Sequence, residues 1–260
     1  MTSSSGVRPG NLGEYDLKGR VAVVTGGSNG IGAATIRRLA AAGATCVVGY
    51  NQGLDRARAL IDSLPGQGHV ALRTPMEDSA ALRAAAAEVA ARLGRCDVLV
   101  NSAAATRAVP HADLEALDDD LIDRVLVANV RGPFATIRAF APMLKASGDA
   151  VIVNISSLAA ATGTGSSIIY GASKAALDTM GMSLARVLGP EVRVLGISPS
   201  AVLTDFVPGR SRETVEKLAL ASPLQRVTEA DDVALAIMGA ITHFRLSTGT
   251  AILVDGGKHL

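Results

Sequence analysis

The stretch Ser167-Ile168-Ile169-Tyr170-Gly171-Ala172-Ser173-Lys174 sets one of the chain's three tyrosines four residues before a lysine. On a helix, positions i and i+4 lie on one face, one above the other. A lysine ammonium so placed stabilises phenolate and draws the tyrosine pKa down from about 10 toward neutrality. The pair would then move a proton at physiological pH. An ordinary helix start, with the ring half-buried and the lysine stem lying along apolar surface, is the competing reading of these residues alone. The rest of the chain decides between them.

A second stretch has residue types suited to phosphate. Thr25-Gly26-Gly27-Ser28-Asn29-Gly30-Ile31-Gly32 follows the first apolar run and opens the first helical one. Glycines let the backbone turn tightly, approach a phosphate and pack helix against strand. The helix N-terminus then presents N–H groups and a positive dipole end to a pyrophosphate. The spacing is GxxxGxG, not the GxGxxG fingerprint, and a plain tight turn uses the same residues. Its place between first strand and first helix favours a dinucleotide.

Elements that would position these residues recur along the chain. β-Branched apolar runs stand at 21–24, 45–48, 70–72, 98–100, 151–155, 192–197 and 251–254. Most lack polar alternation, as strands buried on both faces of a parallel sheet do. Helical patterns fall between them at 31–42, 80–93, 121–144, 170–188 and 230–242, with a further one at 54–64. The alternation predicts an α/β fold: a doubly wound parallel sheet of about seven strands, Rossmann-like, with helices on both faces. A (β/α)8 barrel competes, but seven strands and a glycine-rich first turn argue against it. The expected layout is a mobile tail over 1–16 and a single domain over 17–260. Residues 203–226, containing Pro208, Gly209 and Pro223, interrupt the alternation after a strand, where an active-site lid would sit.

Composition excludes several classes. With 25 basic and 24 acidic residues, a formal charge of +1 leaves no footprint for nucleic acid or an anionic membrane. Aromatics are 3% and tryptophan is absent, so base-stacking platforms are not expected. The two cysteines, Cys46 and Cys96, lack metal-ligand spacing and read as reduced, buried thiols of a cytoplasmic protein. His69, His111, His243 and His259 form no HxxxH pair, which argues against zinc. The N-terminus has no secretory pattern, and no apolar run is long enough to span a membrane.

Taken together, these residues resemble the short-chain dehydrogenase/reductase family from about Leu17 to Gly257. TGGSNGIG matches the family's TGxxxGIG. Asn101-Ser102-Ala103-Ala104 stands for its NNAG, and Asn129 for its helix asparagine. Ser157 lies thirteen residues before Tyr170, and Tyr170 to Lys174 is its YxxxK. Ser198 to Thr204 stands for its PG-x-V-x-T segment, and Asp255-Gly256-Gly257 for its VDGG. The resemblance implies a catalytic set of Asn129, Ser157, Tyr170 and Lys174. In it Tyr170 is the acid/base, Lys174 lowers its pKa and holds the nicotinamide ribose, and Ser157 bonds the reacting oxygen. Asn129 anchors a water that links Lys174 to solvent. Ser156 is the rival serine, disfavoured by spacing. The same resemblance places Gly26, Ser28, Asn29, Gly30, Ile31, Gly32, Tyr50, Asn51, Asn101, Ala103, Pro199, Val202 and Thr204 at the cofactor, beside Tyr170 and Lys174.

Departures from the family pattern concern cofactor fit. Ala104 replaces a glycine and Ser200 another, Ala160 replaces a third, and Pro75 stands where an adenine-contacting aspartate is common. At the end of the second strand, Tyr50 takes the position of the acid that would repel a 2′-phosphate. Arg56 and Arg58 follow on the next helix. NADP(H) is therefore favoured over NAD(H).

The apolar circumference of the 170–188 helix points to a homo-oligomer, a tetramer or dimer. The expected activity is carbonyl–alcohol interconversion by hydride transfer on a small molecule, with a 3-oxoacyl thioester as one specific candidate. Arg107, Arg210 and Arg212 lie near the expected mouth and would suit an anionic substrate, although solvation alone accounts for surface arginines. The alternatives are a non-catalytic dinucleotide sensor, disfavoured by the complete Ser-Tyr-Lys set, and a sugar-nucleotide epimerase or dehydratase. The latter group carries TGxxGxxG and a larger C-terminal region.

Overall fold

The apolar runs form one parallel sheet in the computed structural model, which describes residues 16–260. The tail expected over 1–16 lies, apart from Asp16, outside the described residues. The strands are β1 (Val21–Thr25), β2 (Thr45–Tyr50), β3 (Val70–Arg73), β4 (Val98–Asn101), β5 (Ala150–Ile155), β6 (Val192–Pro199) and β7 (Thr250–Val254). Their order is β3-β2-β1-β4-β5-β6-β7. The sheet is open at β3 and β7, so the barrel alternative falls. β1 and β5 are buried along their whole length, which is why neither alternates with polar residues. Chain order reverses between β1 and β4, and a crevice opens at the carboxyl ends of the strands there.

Successive strand residues point to opposite faces and feed two cores. On one face, Val24, Val48 and Val100 meet Ile36 and Leu39 of α1 (Gly30–Ala41), Leu60 of α2 (Leu54–Asp62) and Ile237 of α9 (Ala230–Thr242). On the other, Val23, Val47 and Leu99 meet Val89 of α3 (Ser79–Leu93), Phe140 of α5 (Gly132–Ser147) and Leu188 of α7 (Ile168–Leu188). At the amino ends of the strands, away from the crevice, Asp97 ties this frame together. Its buried carboxylate accepts a forked pair from Arg95 at 2.8 and 2.7 Å, the Ser147 hydroxyl at 2.6 Å and the Val21 N–H at 2.8 Å. Burial alone would raise the Asp97 pKa, but the bonds from Arg95, Ser147 and Val21 outweigh it and the pKa is lowered.

Three elements differ from the sequence expectation. The helix expected over 121–144 divides into α4 (Asp119–Leu126), a π-helical turn (Val127–Arg131) and α5. Pro133 has no N–H to give the Asn129 carbonyl four residues back, and the helix widens there. The segment 203–226 contains a helix, α8 (Arg212–Leu220), started by Ser211 accepting the Thr214 N–H at 3.2 Å. A four-residue α6 (Ala159–Thr162) follows β5, too short to show a period in sequence.

Candidate active site

The carboxyl ends of β1, β4, β5 and β6 converge on the crevice with the first turns of α1 and α7. β1 runs into the glycine turn, where Gly26 adopts φ +64° and a Cβ would stand 3.0 Å from the Ala103 backbone. A Cβ on Gly32 would stand 2.3 Å from the Gly26 carbonyl oxygen. The turn is thus pressed against both α1 and the loop after β4. Thr25 strengthens that contact, its hydroxyl accepting the Ser102 and Ala103 N–H groups at 3.2 Å each. Asn29 caps α1, its Oδ1 accepting the Gly30 N–H at 2.9 Å.

β5 leads into two serines that both line the crevice and differ in what their hydroxyls bond. Ser156 is buried and donates to the Lys174 carbonyl at 3.4 Å, bracing α7. Ser157 lines the crevice with Tyr170, and its Oγ accepts the Ala159 N–H at 3.1 Å. Helix α7 begins at Ile168, two residues before the expected Tyr170, because Ser167 accepts the Tyr170 N–H at 3.4 Å. One turn on from Tyr170, Lys174 is 3% exposed and donates its Nζ to the Ile155 carbonyl at 2.7 Å.

The titration of the pair corrects the sequence expectation. Burial raises the Tyr170 pKa, and the Ser157 hydroxyl and the Arg210 charge only partly offset it. Lys174 Nζ is turned to Ile155 and lies 5.7 Å from the centre of the Tyr170 ring. Burial also lowers Lys174 itself to about 8, with Asp178 one turn further along opposing the shift.

Asn129 sits in the π turn, fully buried, and does not reach the crevice. Its Oδ1 accepts the Ala105 N–H at 2.8 Å, and its Nδ2 donates to the Ala105 carbonyl and the Ser173 hydroxyl, each at 3.0 Å. It clamps the β4 loop to α7 beside Lys174.

The crevice has a volume of about 620 Å³. Gly26, Asn29, Gly30 and Ile31 line one end. Ala103, Pro199, Val202 and Thr204 line its middle, and Ser157, Tyr170 and Lys174 meet at the other end. Ser28, Gly32, Tyr50, Asn51 and Asn101 are not part of that lining. Gly32 acts through helix–turn packing instead. Asn101 is buried, its Nδ2 donating to Asn154 Oδ1 at 2.9 Å, which holds β4 to β5. Tyr50 is half-buried at the end of β2, its carbonyl accepting the Thr74 N–H at 2.7 Å, and Asn51 is exposed beside it. Of the departures, Ala104 and Ser200 line the crevice, whereas Pro75 is buried in the connection after β3.

Residues not anticipated as site-forming close the far end. Phe206 lines it with its ring 5.9 Å from that of Tyr170, tilted by 52°. Leu218 and Lys258 line it too, beside Arg210, which the sequence placed near the mouth. Only the position of 203–226 after a strand signalled such a wall. The glycine cradle that a Cβ would fill, at the start of α1 and continuous with the Ser157–Tyr170 pair, fits a dinucleotide. Among the described residues no cluster of His, Cys, Asp and Glu could hold a metal, and no helix is long and apolar enough to cross a membrane. Both cysteines are free and buried, and burial raises the Cys46 thiol to about 12.

Comparison with known proteins agrees with this geometry. Residues 20–214 match the family model described as short chain dehydrogenase. D-threitol dehydrogenase of Mycolicibacterium smegmatis is 33% identical over 252 residues, covering 94% of each chain. A short chain dehydrogenase from Burkholderia cenocepacia J2315, solved in complex with NADP, superposes with a TM-score of 0.86 at 34% identity, over 94% of this chain and 99% of that one. A 3-ketoacyl-(acyl-carrier-protein) reductase from Brucella melitensis, complexed with NADH, also gives 0.86, at 27% identity over 94% and 100%.

Proposed function

The chain belongs to the short-chain dehydrogenase/reductase family of nicotinamide-dependent oxidoreductases, and from that premise we propose how its residues act and which cofactor it prefers. The observation that carries the reading is that Ser157, Tyr170 and Lys174 line one crevice together with the glycine turn. The nicotinamide, when bound, supplies or accepts the hydride. Tyr170 gives its phenolic proton to a substrate carbonyl oxygen, or takes one from an alcohol, and its raised pKa keeps that proton in place for reduction. Ser157 donates to the same oxygen as negative charge gathers there. Lys174 holds its ammonium between Ile155 and the crevice, where ribose hydroxyls would meet it. Asn129 keeps the β4 loop and α7 in register, so that these groups face one reacting centre. The sensor and epimerase alternatives find no support in the named relatives, which are dehydrogenases and reductases.

Replacing Tyr170 with Phe tests the assignment: turnover should fall by about 10³-fold or more while cofactor binding persists. Retained turnover would remove Tyr170 from the proton step.

NADP(H) is the favoured cofactor. The end of β2 offers Tyr50 and Asn51 in place of an acid, and Arg56 folds its guanidinium back over Gly53 in the loop that follows. Relatives bind either form, so the preference rests on these residues. Calorimetric titration with NADPH and NADH side by side should give the tighter constant for NADPH; a tighter NADH would refute the missing-acid argument.

Exposed Phe134 and Met182 on α5 and α7, with Leu235 and Leu253 on α9 and β7, support assembly into a dimer or tetramer. Two reduced, buried thiols support a cytoplasmic setting. Within carbonyl reduction, a 3-oxoacyl thioester is one candidate substrate, and a 3-ketoacyl reductase is among the structural neighbours.

A further inference from the structure

We propose that the substrate is an oxo acid, its alcohol a hydroxy acid, and that its carboxylate is received by Arg210 on the wall of the crevice. This rests on the oxidoreductase reading and adds the substrate class. Of the three arginines expected near the mouth, Arg107 and Arg212 do not line the crevice and are already engaged. Arg107 donates to the Ala116 carbonyl at 2.6 Å and to Asp118 at 3.0 Å. Arg212 donates to Glu216 at 2.8 Å along α8. Arg210 is different. It is half-buried and lines the crevice, and its guanidinium has no hydrogen bond or ion pair with any described residue.

A guanidinium drawn partly out of water without a partner is disfavoured, and a forked carboxylate satisfies it best. Burial lowers the Arg210 pKa and the Tyr170 phenol opposes that shift, which places the cation within electrostatic reach of the reacting hydroxyl. Lys258 adds a second positive charge to the same wall, held by the Leu218 carbonyl at 3.3 Å. One carboxylate, Asp205, also lines the crevice; it is exposed and forms no ion pair with either cation. Between Tyr170 and Arg210 the wall is Phe206 and the buried Val207, so the part of the ligand joining carbonyl to carboxylate meets apolar surface. The anion could instead be a cofactor phosphate, and a neutral thioester would need no cation. The test separates these.

The probes are 3-oxobutanoate and 4-oxopentanoate against their ethyl and methyl esters and a neutral 3-oxobutanoyl thioester, with NADPH and with NADH. Wild type should prefer each acid to its ester by about tenfold or more in kcat/KM. Arg210→Gln should weaken the acids by roughly thirtyfold, mainly through KM, leave the esters within about threefold and leave cofactor affinity unchanged. Arg210→Lys should restore part of the loss, showing that charge rather than folding is at issue. Equal use of acid and ester, preference for the thioester, or an equal loss on acid and ester in Arg210→Gln would overturn the proposal while leaving the reaction intact. A cofactor affinity that falls with Arg210→Gln would overturn it too, assigning the residue to a phosphate. Calorimetric titration of 4-oxopentanoate into cofactor-loaded protein covers the case of no turnover. Binding that Arg210→Gln abolishes supports the carboxylate site and counts against the assigned reaction; no binding overturns the proposal.

Discussion

Burial shifts both Tyr170 and Lys174 toward their uncharged forms, raising the phenol pKa and lowering that of the ammonium to about 8. For the lysine this has a measurable consequence. Its folded pKa lies below the unfolded value of about 10.4, so between pH 8 and 10.4 the unfolded chain binds more protons than the folded one. The lysine's cost to stability is therefore present at neutral pH and is relieved as pH rises through that window. The unfolding free energy of wild type minus that of Lys174→Met should climb with pH between 7.5 and 10.5, by at most about 3 kcal/mol. Denaturant titrations of both proteins across that range check it. A flat difference would mean that the ammonium is solvated. The i to i+4 spacing was legible in the sequence; the bond from Lys174 to Ile155 was not, because that carbonyl comes from another strand.

At the scale of elements, the glycine turn and the widened helix are where small groups decide the arrangement. A methyl on Gly32 would stand 2.3 Å from a backbone oxygen of the same turn, and no side chain can move aside to admit it. Gly32→Ala should cost about 1–3 kcal/mol of stability through overpacking and weaken cofactor binding about tenfold or more, read by thermal unfolding and calorimetry. Unchanged binding would show that the turn does not cradle the dinucleotide. The strand and helix types were legible throughout, since buried β-branched runs and apolar periodicity are local. The π turn was not read, although Pro133 stood in view. A proline removes one helical hydrogen bond, but whether the helix breaks, bends or widens depends on what Asn129 finds to bind, and it finds Ala105 and Ser173.

Across the whole molecule, the Asp97 cluster holds the sheet at the end opposite the chemistry. Its pKa is depressed, so the stability it contributes is present above about pH 4 and is lost as pH falls through the lowered value. Asp97→Ala leaves Arg95 and the Val21 N–H without their acceptor and should destabilise the fold by ~3–5 kcal/mol at pH 7. The gap to wild type should shrink in acid, and thermal unfolding of both proteins between pH 3 and 7 measures it. If the cluster is structural alone, kcat/KM at moderate temperature stays close to wild type.

By itself the sequence determined the sheet, its parallel sense and the glycine turn, because local periodicity and short fixed spacings carry them, and its family resemblance implied the Ser157, Tyr170, Lys174 set. Tertiary structure alone decided what depends on partners far apart in the chain. It gave the Ser156 hydroxyl to α7 and Asn101 to Asn154, and pointed Lys174 at Ile155. It also told three similar arginines apart, since Arg107 and Arg212 met acidic partners and Arg210 met none among the described residues. A polar side chain's role is set by what it is buried beside, and folding chooses that neighbour across distances no local pattern encodes.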